Sequence, residues 1–92
     1  MAVYVDQPIW FWAGRRWCHL MADDTIELHR FAASLGIHRL SYQGPPRTAA
    51  PHYDITATER DRALRLGALP ASREEIVGLL RKVRSRAVSI AA

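Results

Sequence analysis

The chain has 92 residues, of which 49% are hydrophobic and 24% are charged, so its composition excludes an intrinsically disordered protein. Its one cysteine, Cys18, excludes an intramolecular disulfide and a cysteine-rich zinc site. We expect Cys18 to be a small buried apolar side chain. With no secretory signal and no apolar run near the roughly 20 residues of a membrane span, we expect a cytoplasmic protein that does not bind membranes.

Two strands are predicted in the first 22 residues. Residues 2–5 are β-prone, and Gln7–Pro8 interrupts them, while Trp17–Ala22 alternates between two faces. The connection is too short for a comfortable helical crossover, so we expect the two strands to pair antiparallel. Within it, Ile9–Trp12 is either core or a partner surface, and we favour core.

A helix and a third strand are predicted next. Asp24 and Glu27 form a capping box, and Gly36 ends the helix that begins there. The residues Arg39–Gln43 are predicted as a strand. A strand, a helix and a strand in this order indicate a right-handed βαβ unit with two parallel strands. The apolar stripe of the helix comprises Leu28, Phe31, Ala32 and Leu35.

The second half of the chain contains two more capping boxes. Thr56–Glu59 begins a helix that Gly67 ends, and Ser72–Glu75 begins a basic amphipathic helix over residues 72–92. Between them, residues 68–71 are predicted as an edge strand, because an edge strand tolerates the proline at position 70.

These elements predict an α/β (α+β-like) fold in a single domain over residues 1–92. We expect a small mixed sheet of three to four strands with a βαβ unit and about three helices. A domain of this size has a modest core, so dimerisation, as a homodimer, is left open as a source of further stability.

A set of polar residues is not explained by the fold, and most of them lie at strand ends or after the third strand. Open α/β sheets bind ligands at such strand ends. We therefore expect these side chains to meet at one edge of the sheet. The set comprises Asp6, His19, Asp23, His29, Gln43, His52, Tyr53, Asp54 and Arg60.

The sharpest local pattern is His52-Tyr53-Asp54, because a histidine and an aspartate two residues apart on an extended backbone point to the same side. With His19 they are the candidate catalytic residues, able to exchange protons or to bind a divalent metal. The alternative is structural: Asp54 supports the following helix cap, while His52 and Tyr53 pack. The candidate ligand-binding residues are Asp23, His29, Gln43, Tyr53 and Arg60.

The charge of the chain and the motifs that it lacks limit the classes of partner that it could bind. Twelve arginines and one lysine give a net charge of +4, which suits a phosphate-bearing partner or a solvated arginine-rich surface. No phosphate-binding loop, dinucleotide fingerprint, HExxH or GxSxG motif is present. The last helix is basic, but no helix-turn-helix or aromatic RNA-binding motif accompanies it.

The ordered motifs resemble a small bacterial and phage family, domain of unknown function 4031, over roughly residues 3–72 with the last helix outside. Where family members carry a lysine after the HYD segment, this chain has Glu59, so a phosphate contact made there would fall to Arg60 or Arg62. The aromatic before the glutamine is kept as Tyr42. The matching residues are Val3–Asp6, His19–Leu20, Ala22–Asp23, Glu27–His29, Phe31–Ala32, Leu35–Gly36, Gln43, His52–Ile55, Arg60 and Gly67–Ala68.

The resemblance implies one shared polar site but no activity, so three functions stay open. The first is a site that binds or hydrolyses a phosphate-bearing small molecule or nucleotide, with a divalent metal as the candidate cofactor. The second is a non-catalytic protein-interaction module that uses the tryptophan-rich segment or the last helix. The third is an arginine-based nucleic-acid binder.

Overall fold

The structure, a computed structural model, describes residues 2–91 and the side chains of residues 2–82. Within this range the chain forms six strands and three α-helices, and a 3₁₀ turn at Arg39–Ser41. The strands are β1 (Val3–Val5), β2 (Trp10–Trp12), β3 (Arg15–Ala22), β4 (Tyr42–Gln43), β5 (His52–Thr56) and β6 (Leu69–Pro70). The helices are α1 (Thr25–Ser34), α2 (Ala57–Arg65) and α3 (Arg73–Ala91).

The sheet is mixed and runs in the order β4-β5-β3-β1-β6, with β2 also paired to β3. The antiparallel pair predicted near the N-terminus is β1 with β3. Because β5 lies antiparallel between β3 and β4, those two strands are parallel but not adjacent, so the predicted βαβ unit is split by β5. The α/β class is confirmed, and the sheet is larger than the three to four strands that we predicted.

The first strand is interrupted rather than ended. Both β1 and β2 pair with β3 on the side opposite β5, and their registers differ by two residues. The intervening residues 6–9, which include Pro8, therefore leave the ladder, as expected of a residue that cannot donate to it. A two-residue turn at Ala13 and Gly14 then joins β2 to β3, with φ values of 53° and 75° that suit a tight hairpin.

The aromatic segment does not form core. Phe11 and Trp12 are 70% and 67% exposed, and Ile9 is also exposed. Our preference for core at Ile9–Trp12 is therefore wrong. The reason is that β2 pairs with β3 alone and no helix in the described part of the chain packs closely on β2.

The main core lies between one face of the sheet and the helices α1 and α2. Alternate residues of β3, among them Cys18 and Leu20, are fully buried there beside Ile55 of β5. A smaller cluster on the opposite face joins Met21 to Ile76 of α3. The centre of this second face carries polar side chains instead of apolar ones.

All three helix starts are as predicted. The Asp24 side chain accepts a hydrogen bond from the Glu27 N–H, and the boxes at Thr56–Glu59 and Ser72–Glu75 are reciprocal. The predicted strand at Arg39–Gln43 is wrong in its first three residues, which form the 3₁₀ turn. The His38 side chain accepts from the Leu40 N–H and holds that turn, so only Tyr42–Gln43 joins the sheet.

Among the described helices, none combines the length and the apolar character that crossing a bilayer requires.

Candidate functional site

The interruption of the first strand places Asp6 beside His19. Where the ladder would continue, the Asp6 Oδ1 atom accepts a hydrogen bond from the His19 backbone N–H at 2.6 Å. The other carboxylate oxygen lies 2.6 Å from His19 Nδ1. Asp6 is nearly buried, so this pair fixes both the position and the ring orientation of the histidine. The free ring nitrogen of His19 is therefore Nε2.

The sheet register brings His19, His52 and Asp54 onto one face. His19 of β3 pairs directly with Asp54 of β5, and His52 lies two residues from Asp54 on the same strand. The His19 and His52 rings are 5.3 Å apart between centroids, nearly perpendicular to each other. Gln43 lies on β4, at the edge of the sheet, and pairs with His52. It therefore extends this row of polar side chains across three strands.

Hydrogen bonds orient His52 and Asp54 as well. The Nδ1 atom of His52 lies 2.7 Å from the Ala50 carbonyl oxygen, which is an acceptor. Nδ1 therefore donates a hydrogen bond there, and Nε2 is the ring nitrogen left to bind another group. That Nε2 is 3.4 Å from Asp54 Oδ1. The other Asp54 oxygen accepts from the Gln43 amide at 2.5 Å. Each of the three side chains thus keeps one ligand atom uncommitted to a structural partner.

His52 and Asp54 shift each other's pKa. Burial by itself would lower the pKa of His52, but the Asp54 carboxylate and the Ala50 carbonyl outweigh burial and raise it. Burial would likewise raise the pKa of Asp54, and the hydrogen bond and charge of His52, together with Gln43, lower it instead. Without a metal, the pair therefore favours an imidazolium beside a carboxylate.

The same three side chains have the arrangement of a metal site. One ligand atom from each of His19, His52 and Asp54 lies within 4.8 Å of the other two. Two ligands about 2.1 Å from a tetrahedral Zn²⁺ are roughly 3.4 Å apart, which matches the 3.4 Å separation of His52 Nε2 and Asp54 Oδ1. In both histidines, Nδ1 is hydrogen-bonded to an oxygen atom, from Asp6 for His19 and from Ala50 for His52. Metal-bound histidines usually make such a hydrogen bond through the ring nitrogen that does not bind the metal.

A cavity of about 500 Å³ adjoins this cluster, between the sheet and α3. Asp6 and His19 form one wall, and Arg73 contributes a cation. No described carboxylate forms an ion pair with Arg73. Gln7 also lines the cavity, and the rest of the wall is apolar and comprises Ile9, Ile76, Val77 and Leu80.

His29 and Tyr53 lie on the opposite face of the sheet, apart from the cluster. Tyr53 is buried in the main core, and its hydroxyl is 2.8 Å from His29 Nδ1. The ring of Tyr42 packs against His29 at 4.5 Å. Burial, and then the charge of Arg39, lowers the pKa of His29, while burial raises that of Tyr53. These two residues therefore form a packed structural pair under α1 rather than part of the His19 cluster.

Asp23 and Arg60 are also outside the immediate cluster. The Asp23 carboxylate accepts from the Ala2 N–H at 3.0 Å, at the far end of β3. Arg60 of α2 donates from Nε to the Asp6 backbone carbonyl at 2.7 Å, so it supports the segment that carries Asp6. Our expectation that the polar residues meet at one edge of the sheet is corrected: His19, His52 and Asp54 meet on a face of the sheet, because β5 pairs directly with β3.

Three residues near the cluster had no assigned role in the sequence. Asp6 was in the polar set but without a function, and its signal was the Gln7–Pro8 break that follows it. Trp10 packs its ring 4.7 Å from His19, and Arg73 lines the adjoining cavity. The roles of Trp10 and Arg73 depend on tertiary contacts, so they leave no local pattern in the sequence.

Cys18 is buried in the main core, as expected for a small apolar side chain, and burial raises the pKa of its thiol to about 12.

Comparison with known proteins supports a family relationship only. No curated protein and no solved structure matches the chain significantly. A family model described as a protein of unknown function, DUF4031, matches residues 3–83, which extends past our expected limit of 72 and into α3. Since this match covers most of the 92 residues, the chain belongs to the DUF4031 family.

Proposed function

We propose that His19, His52 and Asp54 bind a divalent transition-metal ion and that the site acts on a phosphate-bearing substrate. The observation that carries the proposal is the combination of three converging ligand atoms with a separate partner for each side chain. A ligand set built this way needs little reorganisation when the metal binds.

The donor set favours one class of metal. Two imidazoles and one carboxylate suit Zn²⁺, Fe²⁺ or Mn²⁺, whereas Mg²⁺ prefers an all-oxygen octahedral shell. Three protein ligands leave at least one coordination position for water or substrate, as in catalytic rather than structural zinc sites. His19 is the most exposed of the groups, at 37% of its side chain, so the open position faces solvent and the cavity.

Charge and shape support a phosphate-bearing substrate. Arg73 faces the cavity beside His19, and a guanidinium pairs well with phosphate. A volume of about 500 Å³ falls within the range of small-molecule sites. The apolar wall on α3 would contact the organic part of the substrate while the phosphate lies between Arg73 and the metal ligands.

The chemistry that follows is hydrolysis. A divalent metal at such a site supplies a water of lowered pKa. The water oxygen forms a bond to phosphorus, the ester P–O bond breaks, and the water proton ends on the departing alcohol oxygen. The chain's own contribution is to hold His19 and Asp54 rigidly through Asp6 and Gln43 and to bind the phosphate charge.

Calorimetric titration of the metal-free protein with Zn²⁺ tests the proposal. We expect one Zn²⁺ per chain, little heat from Mg²⁺, and release of p-nitrophenol from bis(p-nitrophenyl) phosphate that requires Zn²⁺ and stops with EDTA. Absence of Zn²⁺ binding overturns the proposal. Zn²⁺ binding without ester hydrolysis retains the metal site and overturns its hydrolytic role.

The pH dependence of Zn²⁺ binding is a second expected result. The pKa of His52 is raised from its ordinary value of 6.5, so protons compete with the metal for Nε2 as the pH falls through that raised value. Apparent affinity should fall about tenfold per pH unit for each proton displaced. The charged groups facing His52 are the carboxylates of Asp54 on its own strand and Asp6 next to β1, and the His19 ring of β3 lies 5.3 Å away between centroids.

The stability of the metal-free protein should depend on pH in the opposite sense to Zn²⁺ affinity. A raised His52 pKa stabilises the fold fully below pH 6.5, and this contribution is lost as the pH rises through the raised value. The lowered pKa of Asp54 contributes above its ordinary value of 3.8 and is lost as the pH falls through the lowered value. Zn²⁺ should therefore raise the melting temperature most on the alkaline side, and an equal shift at every pH would contradict the assignment of His52.

A further inference from the structure

Three tryptophans form a continuous aromatic surface that ends at His19. Trp10 pairs with Trp17 across β2 and β3, and strand alternation puts Trp12, Trp17 and His19 on the same face. The Trp12 and Trp17 rings are 5.8 Å apart, and Trp10 lies 4.7 Å from His19. We name Trp10, Trp12 and Trp17 the tryptophan strip.

The strip is open to ligands. Trp12 is 67% exposed, and among the described helices none packs closely on β2. The hairpin is held rigidly by its tight turn and by the bond from Trp17 Nε1 to the Trp12 carbonyl at 2.8 Å. Exposed apolar surface of this kind marks a binding site more often than chance.

Positive charge lies at the outer end of the strip. Arg15 and Arg16 follow the turn, are exposed, and form no ion pair with a described carboxylate. Arg15 lies opposite Trp12 on the face of the strip, whereas Arg16 lies opposite Phe11 on the other face. From Arg15 to His19 the strand rises roughly 13 Å, at about 3.3 Å per residue. Arg15, Trp17 and His19 thus follow one another along one face of β3, as a cation, a stacking surface and a proposed metal ligand.

We propose that the tryptophan strip binds single-stranded nucleic acid, with bases stacked on the rings and a phosphate paired to Arg15. Exposed aromatic side chains next to basic side chains are the usual means of binding single strands without sequence preference. Duplex bases are already stacked on one another, so a duplex offers no ring faces to the strip. The strand then passes toward His19, and its assignment as the substrate rests on the proposed function above.

Fluorescence anisotropy with a labelled oligothymidylate, in EDTA, tests the binding step. We expect Trp12→Ala to weaken binding roughly tenfold or more, since stacking contributes about 1–3 kcal/mol per base. Phe11→Ala is the matched control: Phe11 is 70% exposed on the same hairpin but on its other face, and its loss should change affinity less than about twofold. Both positions are exposed, and a circular dichroism melt verifies that each variant folds.

Salt dependence tests Arg15 separately. Removing one phosphate contact with Arg15→Gln should reduce the slope of log affinity against log salt by about 0.7. Arg65→Gln, on exposed helix surface, should leave the slope unchanged.

Three outcomes would overturn the strip proposal: no oligothymidylate binding by the wild type, equal losses in the Phe11 and Trp12 variants, or equal affinity for the thymidylate–adenylate duplex. A concentration-dependent dimer that Trp12→Ala dissociates, without oligonucleotide binding, would assign the strip to a second copy instead. Because binding is measured in EDTA, its failure leaves the metal site intact, and failed Zn²⁺ titration leaves the strip intact.

Discussion

Replacing His52 by alanine or Asp54 by asparagine should abolish measurable Zn²⁺ binding in the calorimetric titration. Even an outer contact to a metal ligand is worth about 10–100-fold in affinity, so loss of a ligand should cost at least roughly 100-fold. Neither substitution removes a core side chain, since His52 and Asp54 lie on the face away from α1 and α2. The loss should therefore occur in a protein whose circular dichroism spectrum is unchanged.

Matched controls separate a metal site from general charge effects. His38→Ala and Asp61→Asn remove the same side-chain types outside the cluster and should leave Zn²⁺ affinity unchanged. Asp6→Asn keeps the size of the side chain that holds His19 but removes its charge, so we expect an intermediate loss of roughly tenfold. Full Zn²⁺ affinity in both ligand variants would show that the cluster does not bind the metal.

The largest effect on stability should come from Leu20→Ala. Leu20 is completely buried at the middle of β3, the strand that pairs with β1, β2 and β5. Truncating a buried leucine usually costs about 2–5 kcal/mol, because contacts are lost and a cavity remains. Domains are typically stable by only about 5–15 kcal/mol, so the variant should be partly unfolded at moderate temperature.

Urea denaturation followed by circular dichroism measures this loss. The control is Leu40→Ala, because Leu40 is 88% exposed on the 3₁₀ turn and its truncation should change the free energy of unfolding by less than about 0.5 kcal/mol. An unchanged urea midpoint for Leu20→Ala would contradict the placement of β3 at the centre of the core.

Local signals predicted the helices well. Capping residues and glycines act within one turn of the chain, so Asp24, Thr56 and Ser72 could be recognised without knowledge of the fold. The strands predicted at 39–43 and 68–71 contain β4 and β6, although the structure confines each of them to two residues by pairing with distant parts of the chain. The strands that the sequence did not predict are β2 and β5, so the predicted sheet was smaller than the observed one.

The cluster on the sheet was only partly accessible to sequence reasoning. Strand alternation correctly grouped His52 with Asp54, and the same rule should have placed Tyr53 on the opposite face. The pairing of His19 with Asp54 needed the register between β3 and β5, which no local pattern specifies. The role of Asp6 needed the interruption of the first strand, which only the paired structure reveals.

The burial of Cys18 has a practical consequence for experiments on this protein. With its thiol pKa near 12 and no exposed surface, almost no thiolate is available to maleimides or iodoacetamides at neutral pH. A cysteine introduced on the surface would therefore be the single reactive position. Spin labels or fluorophores could be attached there without first mutating the native residue, which allows distances from the hairpin to be followed in an otherwise unaltered chain.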